Sequence, residues 1–183
     1  MRNLSKSKII AFRQCPKRLW LEIHKPELRD DSASEAVFQI GHQVGDIART
    51  IYDPEGKGET IDIQELGHGE ALKRSAELLK DGIKPVFEAG LSTDGALAYA
   101  DVMLPDKSQG TLRWRMIEVK SSTGVKDYHQ DDIAVQTYIA AAAGVPPGRT
   151  ADGARIRLRH PRRPGPVGGT ARHAAPPRDP PAG

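Results

Sequence analysis

Residues 96–121 read ALAYADVMLPDKSQGTLRWRMIEVKS, and their patterning decides the fold. Two runs suited to strands, Ala96–Leu104 and Leu112–Ser121, flank the turn-forming Pro105–Gly110, which predicts an antiparallel hairpin. In the second run Leu112, Trp114 and Met116 alternate onto one face. Glu118 and Lys120 continue that face, so an apolar stripe ends in a carboxylate and an ammonium. In the first run Leu97, Tyr99, Asp101 and Met103 share a face, which sets Asp101 among apolar neighbours. In a hairpin the two faces can coincide and bring Asp101 beside Glu118. Two carboxylates that close, partly desolvated, repel unless a cation lies between them. A neighbouring lysine suits a water nucleophile or a developing phosphoryl charge. A buried Glu118–Lys120 or Asp101–Lys120 ion pair is the plainer reading of the same spacing.

Outward from the hairpin, Val86–Leu91 adds a third strand through the Ser92–Gly95 turn. A helix is expected from Tyr128 to Ala143, stopped by Gly144 and Pro146. Upstream, Glu70–Lys80 reads as a helix with Ala71, Leu72, Ala76 and Leu79 inward, and Thr60–Ile63 as a short strand. Ser32-Ala33-Ser34-Glu35 matches a capping box that opens a helix to Tyr52. That helix should bury Val37, Gly41, Val44, Ala48 and Ile51, with Gly41 and Gly45 leaving a groove for another backbone. Ser5–Trp20 reads as helix, with Pro16 opening a second piece after Cys15. Ile9, Ile10, Phe12, Leu19 and Trp20 form its apolar stripe. The sum is an α/β fold, a small mixed sheet flanked by helices, without internal repeats.

The chain has 183 residues, of which 38% are hydrophobic and 28% charged, which allows one domain with an appendage. No run of about 18 apolar residues is present, which excludes a membrane-spanning helix. Met1–Lys6 leads into an amphipathic stretch and no apolar signal region follows, so a cytoplasmic protein is expected. A single cysteine rules out an internal disulfide framework. The formal charge of +3 averages two unlike parts. Residues 1–145 hold 19 Lys and Arg against 22 Asp and Glu, whereas residues 146–183 hold 8 Arg against 2 Asp. Nine of the 14 prolines also fall in 146–183, which predicts a body of residues 1–145 and a disordered tail. Within the body, helices 4–52 precede a core at 60–145.

Asp101 followed by Glu118-Val119-Lys120 resembles the Asp…(Asp/Glu)-x-Lys signature of the PD-(D/E)XK nuclease superfamily. Leu4–Glu22, LSKSKIIAFRQCPKRLWLE, is similar to the opening of the CRISPR-associated RecB-like exonucleases, where such a segment supplies the first iron–sulfur cysteine. FQIGHQVGDIAR (38–49) resembles that family's glycine-marked second helix, and 86–105 its first two core strands. DYHQDDIAVQTY (127–138) resembles the helix with the RecB-type glutamine motif. The likeness spans about residues 4–145, and it is nearest to a bacterial group of RecB-like proteins of unassigned function.

The resemblance implies a restriction-endonuclease-like core that hydrolyses phosphodiester bonds of single- or double-stranded DNA with Mg2+ or Mn2+. Asp101 and Glu118 would be metal ligands, with the Val119 carbonyl as a third oxygen. Lys120 would polarise the attacking water, and Gln136 would be the motif glutamine. Glu88 reads equally well as an outer carboxylate or a solvent-facing strand residue. Three departures stand out. The motif tyrosine is replaced by Ala140, with Tyr138 nearby but off the Asp132–Gln136 helix face and so expected in the core. The motif histidine is replaced by Gly45, with His42 three residues away and read as a surface or packed side chain. Cys15 matches the first cluster cysteine, yet the chain has no other, so a [4Fe–4S] cluster cannot form within it.

The resemblance and the composition break off together near residue 146, which suggests a truncated or frameshifted coding sequence. A natural arginine-rich tail that binds nucleic acid is the alternative. Lys6, Lys8, Arg13, Lys17, Arg18 and Lys126 are candidates to track the phosphate backbone. Besides a nuclease, a non-catalytic nucleic-acid-binding module and a defective gene product fit these features. Oligomeric state is not legible.

Overall fold

The structure, a computed structural model, describes residues 4–29, 34–120, 127–146 and 148, without the side chains of 34–40. The expected meander is there. Strands β3 (Val86–Thr93), β4 (Ala96–Asp106) and β5 (Arg113–Ile117) pair antiparallel in sequence order. The β3–β4 connection is the two-residue Asp94-Gly95, which suits a tight hairpin turn. Two very short strands complete a mixed five-stranded sheet. β1 (Leu4–Ser5) runs parallel to β4, and β2 (Glu59–Thr60) runs parallel to β3.

Alternate residues of the meander feed two cores. Val86, Met103, Trp114 and Met116 join the larger one. It also takes in Leu78 and Leu79 of helix α4 (Ile63–Asp81) and Ile139 and Ala140 of helix α5 (Asp127–Ala142). Phe87, Val102 and Ile117 form the smaller core with Ala48 of helix α3 (Ser34–Tyr52). α4 packs chiefly on β3, and Gly90 permits it. A side chain there would lie 2.9 Å from Leu72 Cδ2 and 3.0 Å from Tyr99 Cε1. The Gly90 N–H instead donates to the buried Ser75 Oγ at 2.8 Å.

Several sequence expectations are corrected. Ile61–Ile63 is not strand, because the Asp62 carboxylate accepts from the Gln64 and Glu65 amides and caps α4. α4 therefore begins at Ile63, seven residues before the expected Glu70, with a break at Gly67 (φ +71). The opening starts as strand, with Ser5 in β1, and not as helix. The two expected helical pieces follow as α1 (Lys6–Gln14) and α2 (Pro16–His24), which part at Cys15 because proline drives its predecessor into extended backbone. The apolar stripe is only partly seated: Ile9, Ile10 and Leu19 are half-buried, Phe12 and Trp20 are each 53% exposed, and α2 buries no residue. In α3, Val44 and Ala48 are buried as expected but Ile51 is exposed. Among the described residues no backbone outside their own helix comes within 4 Å of where a side chain would start on Gly41 or Gly45. The capping box lies mostly outside the described residues, as does nearly all of the tail. Pro146 and Gly148 exchange backbone hydrogen bonds with Trp114, which extends the ordered body slightly past 145. Among the described residues no helix is long and apolar enough to cross a membrane.

Two outcomes follow from this packing. Trp114 is 1% exposed, and its indole N–H donates to the Leu79 carbonyl at 3.0 Å, satisfying an acceptor in the last turn of α4. Trp114→Phe should leave that carbonyl unpaired and cost about 1–3 kcal/mol, read as a lower urea midpoint at unchanged slope. In segment-resolved hydrogen exchange, α2 should exchange well ahead of β3 and β4. Equal protection of Leu19–Ile23 and Ala98–Met103 would contradict this picture.

Candidate active site

β1 and β5 share one edge of β4. β1 runs parallel to β4 and ends at the Ser5–Leu97 pair, whereas β5 runs antiparallel and ends at the Ile117–Val102 pair. Their carboxyl ends therefore point at each other across the stretch Ala98–Asp101. The gap is too short for both chains to continue as strand, so each turns out of the sheet. β1 turns into α1 at Lys6, and β5 gives way to Glu118-Val119-Lys120. Side chains at the gap are thus presented by chain ends leaving a ladder.

The register then assembles carboxylates. One step beyond the last β4–β5 pair, Asp101 stands opposite Glu118; in the β3–β4 register it stands opposite Glu88. Glu88 drops out of the ladder with φ +56, a left-handed conformation that costs a non-glycine residue about 1–3 kcal/mol. The Val119 N–H donates to Asp101 Oδ2 at 2.6 Å.

Glu118 is the hub. Its Oε1 accepts from Lys6 Nζ at 3.0 Å and from Lys120 Nζ at 2.5 Å, and its Oε2 accepts from Gln136 Nε2 at 2.5 Å. Lys120 is held on its other side by Asp132 Oδ2 at 2.9 Å. Asp132 and Gln136, one turn apart on α5, are both buried and reach the cluster together. Gln136 is fully buried, and among the described residues its Oε1 has no hydrogen-bond partner. An acceptor is left over inside the site.

Burial of three carboxylates is offset unevenly. Burial pushes Glu118 up, but the charges of Lys6 and Lys120, with hydrogen bonds from Lys120 and Gln136, hold it below the ordinary value. Burial and the neighbouring Glu118 charge raise Asp101 to about 7, with Glu88 adding to the rise and the Val119 amide and Lys6 opposing it. Glu88 is raised, chiefly by burial, with Arg49, Lys6 and His42 pulling the other way and Glu118 adding to the rise. Burial opposes the Lys120 charge, yet Glu118 and Asp132 raise its pKa above the ordinary value. At neutral pH Glu118 is the anion, and Asp101 is the group that keeps or shares a proton.

Asp101, Glu118, Lys120 and Gln136, singled out from the sequence, are brought together here. Glu88 is half-buried and close enough to Asp101 and Glu118 to interact with both. Tyr138 is 71% exposed, on the outer face of α5, and is not core. His42 is exposed, near enough to act on Glu88. Cys15 is exposed and free. Of the basic residues assigned to DNA, Arg13 pairs with Asp131 at 2.9 Å and Arg18 with Glu22 at 2.7 Å. Lys126 lies outside the described residues. Sequence reasoning missed Lys6 as a site residue, because a two-residue strand has no readable period. It also missed Asp132 as the holder of Lys120, although the Asp132–Gln136 spacing was the signal for it.

As metal ligands, Asp101 and Glu118 have suitable chemistry. Hard carboxylate oxygens suit Mg2+ or Mn2+, which use one or two carboxylates and complete their shell from water and phosphate. The raised Asp101 and the orphaned Gln136 oxygen mark a site short of positive charge and of one donor. No cage is preassembled: among the described residues no three His, Cys, Asp or Glu side chains form a ligand set. Comparisons with family models, curated proteins and solved structures return no match.

The raised Asp101 sets a sign for stability. Its folded-state pKa exceeds the ordinary 3.8, so its favourable contribution is present below about pH 4 and is lost as pH rises towards about 7. In chelator-containing buffer, Asp101→Asn should gain stability relative to wild type over that interval and stay level above it. A constant difference from pH 4 to 8, by thermal melts, would show that Asp101 ionises normally.

Proposed function

We propose that the chain is a RecB-like nuclease of the PD-(D/E)XK superfamily, a metal-dependent hydrolase of DNA phosphodiester bonds. The observation that carries this reading is the contact set around Glu118. One carboxylate touches Lys120 and Gln136, with Asp101 opposite it in register. Those four residue types are the ones the signature and the glutamine motif call for. The order helix, three antiparallel strands, helix also supports it.

Asp101 and Glu118 would hold the ion, and a bound Mg2+ or Mn2+ would supply Lewis acidity at the phosphate and a more acidic water. Lys120 is fixed between Glu118 and Asp132, so its charge has a defined position beside the reacting centre. There it orients the attacking water and offsets charge growing on the phosphate oxygens. Gln136 holds Glu118 in one orientation through Oε2 and leaves its own Oε1 as an acceptor for a water proton. As the water oxygen bonds to phosphorus and gives up a proton to solvent, the bond from phosphorus to the leaving sugar oxygen breaks and that oxygen takes up a proton from solvent. Lys8 and Lys17, both exposed on α1 and α2, are available to the DNA backbone.

The test is cleavage of single- and double-stranded DNA with Mg2+ or Mn2+. Glu118→Ala and Lys120→Ala should each lose about a hundredfold or more in rate. Wild-type activity no greater than that of Glu118→Ala would refute the assignment. Mn2+ binding that Asp101→Ala abolishes, without turnover in any variant, would point instead to a non-catalytic nucleic-acid-binding module.

A further inference from the structure

Lys6 sits at the carboxylates and not on the outer surface of α1. It is the first residue of α1, directly after the pairing of Ser5 with Leu97, so the β1–β4 register fixes its backbone at the gap. Its ammonium lies 3.0 Å from Glu118 Oε1, the same oxygen that Lys120 contacts. The Lys6 side chain is 20% exposed and that of Glu118 only 4%. A largely covered lysine therefore reaches a nearly dry carboxylate.

Lys120 and Lys6 differ in how they are held. Lys120 has a second carboxylate, Asp132, at 2.9 Å, so it stays charge-paired if Glu118 takes another partner. For Lys6 the only ion pair among the described residues is with Glu118. Glu118 Oε2 accepts from Gln136 and Oε1 from both lysines, so a divalent ion that enters on Glu118 competes with those two cations for one carboxylate charge. Of the two, Lys6 is the cation with less to lose by moving.

We propose that Lys6 is an internal counter-cation of this site, and that a divalent ion binds Asp101 and Glu118 by displacing it. The inference rests on the metal-dependent reading above and adds a competitor encoded in the chain. Binding of the ion and the Lys6–Glu118 contact then oppose each other, each weakening the other by the same factor. Removing the charge at residue 6 should tighten metal binding, and restoring it should weaken binding again.

The experiment is calorimetric titration of the full chain with Mn2+ alone. It uses wild type, Lys6→Met and Lys6→Arg, with Glu118→Gln in each background as the control for the site. Lys6→Met should bind about ten- to a hundredfold more tightly than wild type, Lys6→Arg should not, and Glu118→Gln should abolish binding throughout. Without metal, Lys6→Met should melt below wild type, and saturating Mn2+ should narrow that difference. If Lys6→Met does not fold, Lys6→Gln keeps a hydrogen-bond donor to Glu118 without the charge and should show the same tightening. Equal or weaker binding by the folded neutral variants, with Glu118-dependent binding in wild type, overturns the role of Lys6 and leaves the metal reading intact. No Glu118-dependent binding in any chain overturns the metal reading, and the competition falls with it.

Discussion

The structure depends on one constraint: two strands claim the same edge of β4 from opposite ends. Because β1 is parallel and β5 antiparallel to β4, their carboxyl ends converge and must leave the sheet before they collide. Ligand sites in open α/β sheets gather at such carboxyl ends, where diverging chains leave a crevice. Here the divergence puts Lys6 and Glu118 at the gap, with Asp101 on the strand between them. Moving either strand end by one residue would exchange the side chains at the gap for ones facing the other way. The length of β1, only two residues, is thus part of the arrangement.

The second constraint is electrostatic. A carboxylate as buried as Glu118 is tolerable only with charge and hydrogen bonds supplied on the spot. Lys6, Lys120 and Gln136 supply them, and Asp132 supplies Lys120 in turn. For Asp101, the Val119 amide and the Lys6 charge do not offset burial and the Glu118 charge, which leaves it raised. The site thus divides two opposed carboxylates into one firmly ionised and one that ionises with difficulty. Left-handed backbone at Glu88 adds strain where a third carboxylate leaves the β3–β4 ladder and adds to the rise at Asp101. Strain and unbalanced charge at one place are features a fold retains at a working site more readily than elsewhere.

Much of this was legible in the sequence, because it follows from period and turn chemistry. The alternation in 96–121 and the turns around it define β3, β4 and β5, and a hairpin register alone sets Asp101 across from Glu118. What was not legible depends on tertiary contact. β1 and β2 are too short to carry a period, so Lys6 reads as helix surface. Asp62 reads as strand because its capping role shows only when two amides turn back on it. Tyr138 reads as core because it lies off the Asp132–Gln136 face, but that face, with Ile139, is the one α5 turns to the body. Phe12 and Trp20 look like docking residues, yet only Ala11 of α1 is buried.

That last mismatch bears on how the N-terminal segment is attached. With little apolar area buried, α1 and α2 are fastened by specific polar points: the Leu4 amide on the Gly95 carbonyl, Lys6 on Glu118 and Arg13 on Asp131. The Arg13 pair is largely exposed and contributes little. The Lys6 pair is largely buried and contributes more, because breaking it strands a buried charge. The segment is therefore held most firmly at the residue that also belongs to the carboxylate site. Any cation that takes Glu118 from Lys6 removes that fastening and supplies the carboxylate with charge in the same event. Site occupancy and docking of α1 are then two readouts of one equilibrium, whatever reaction the site performs.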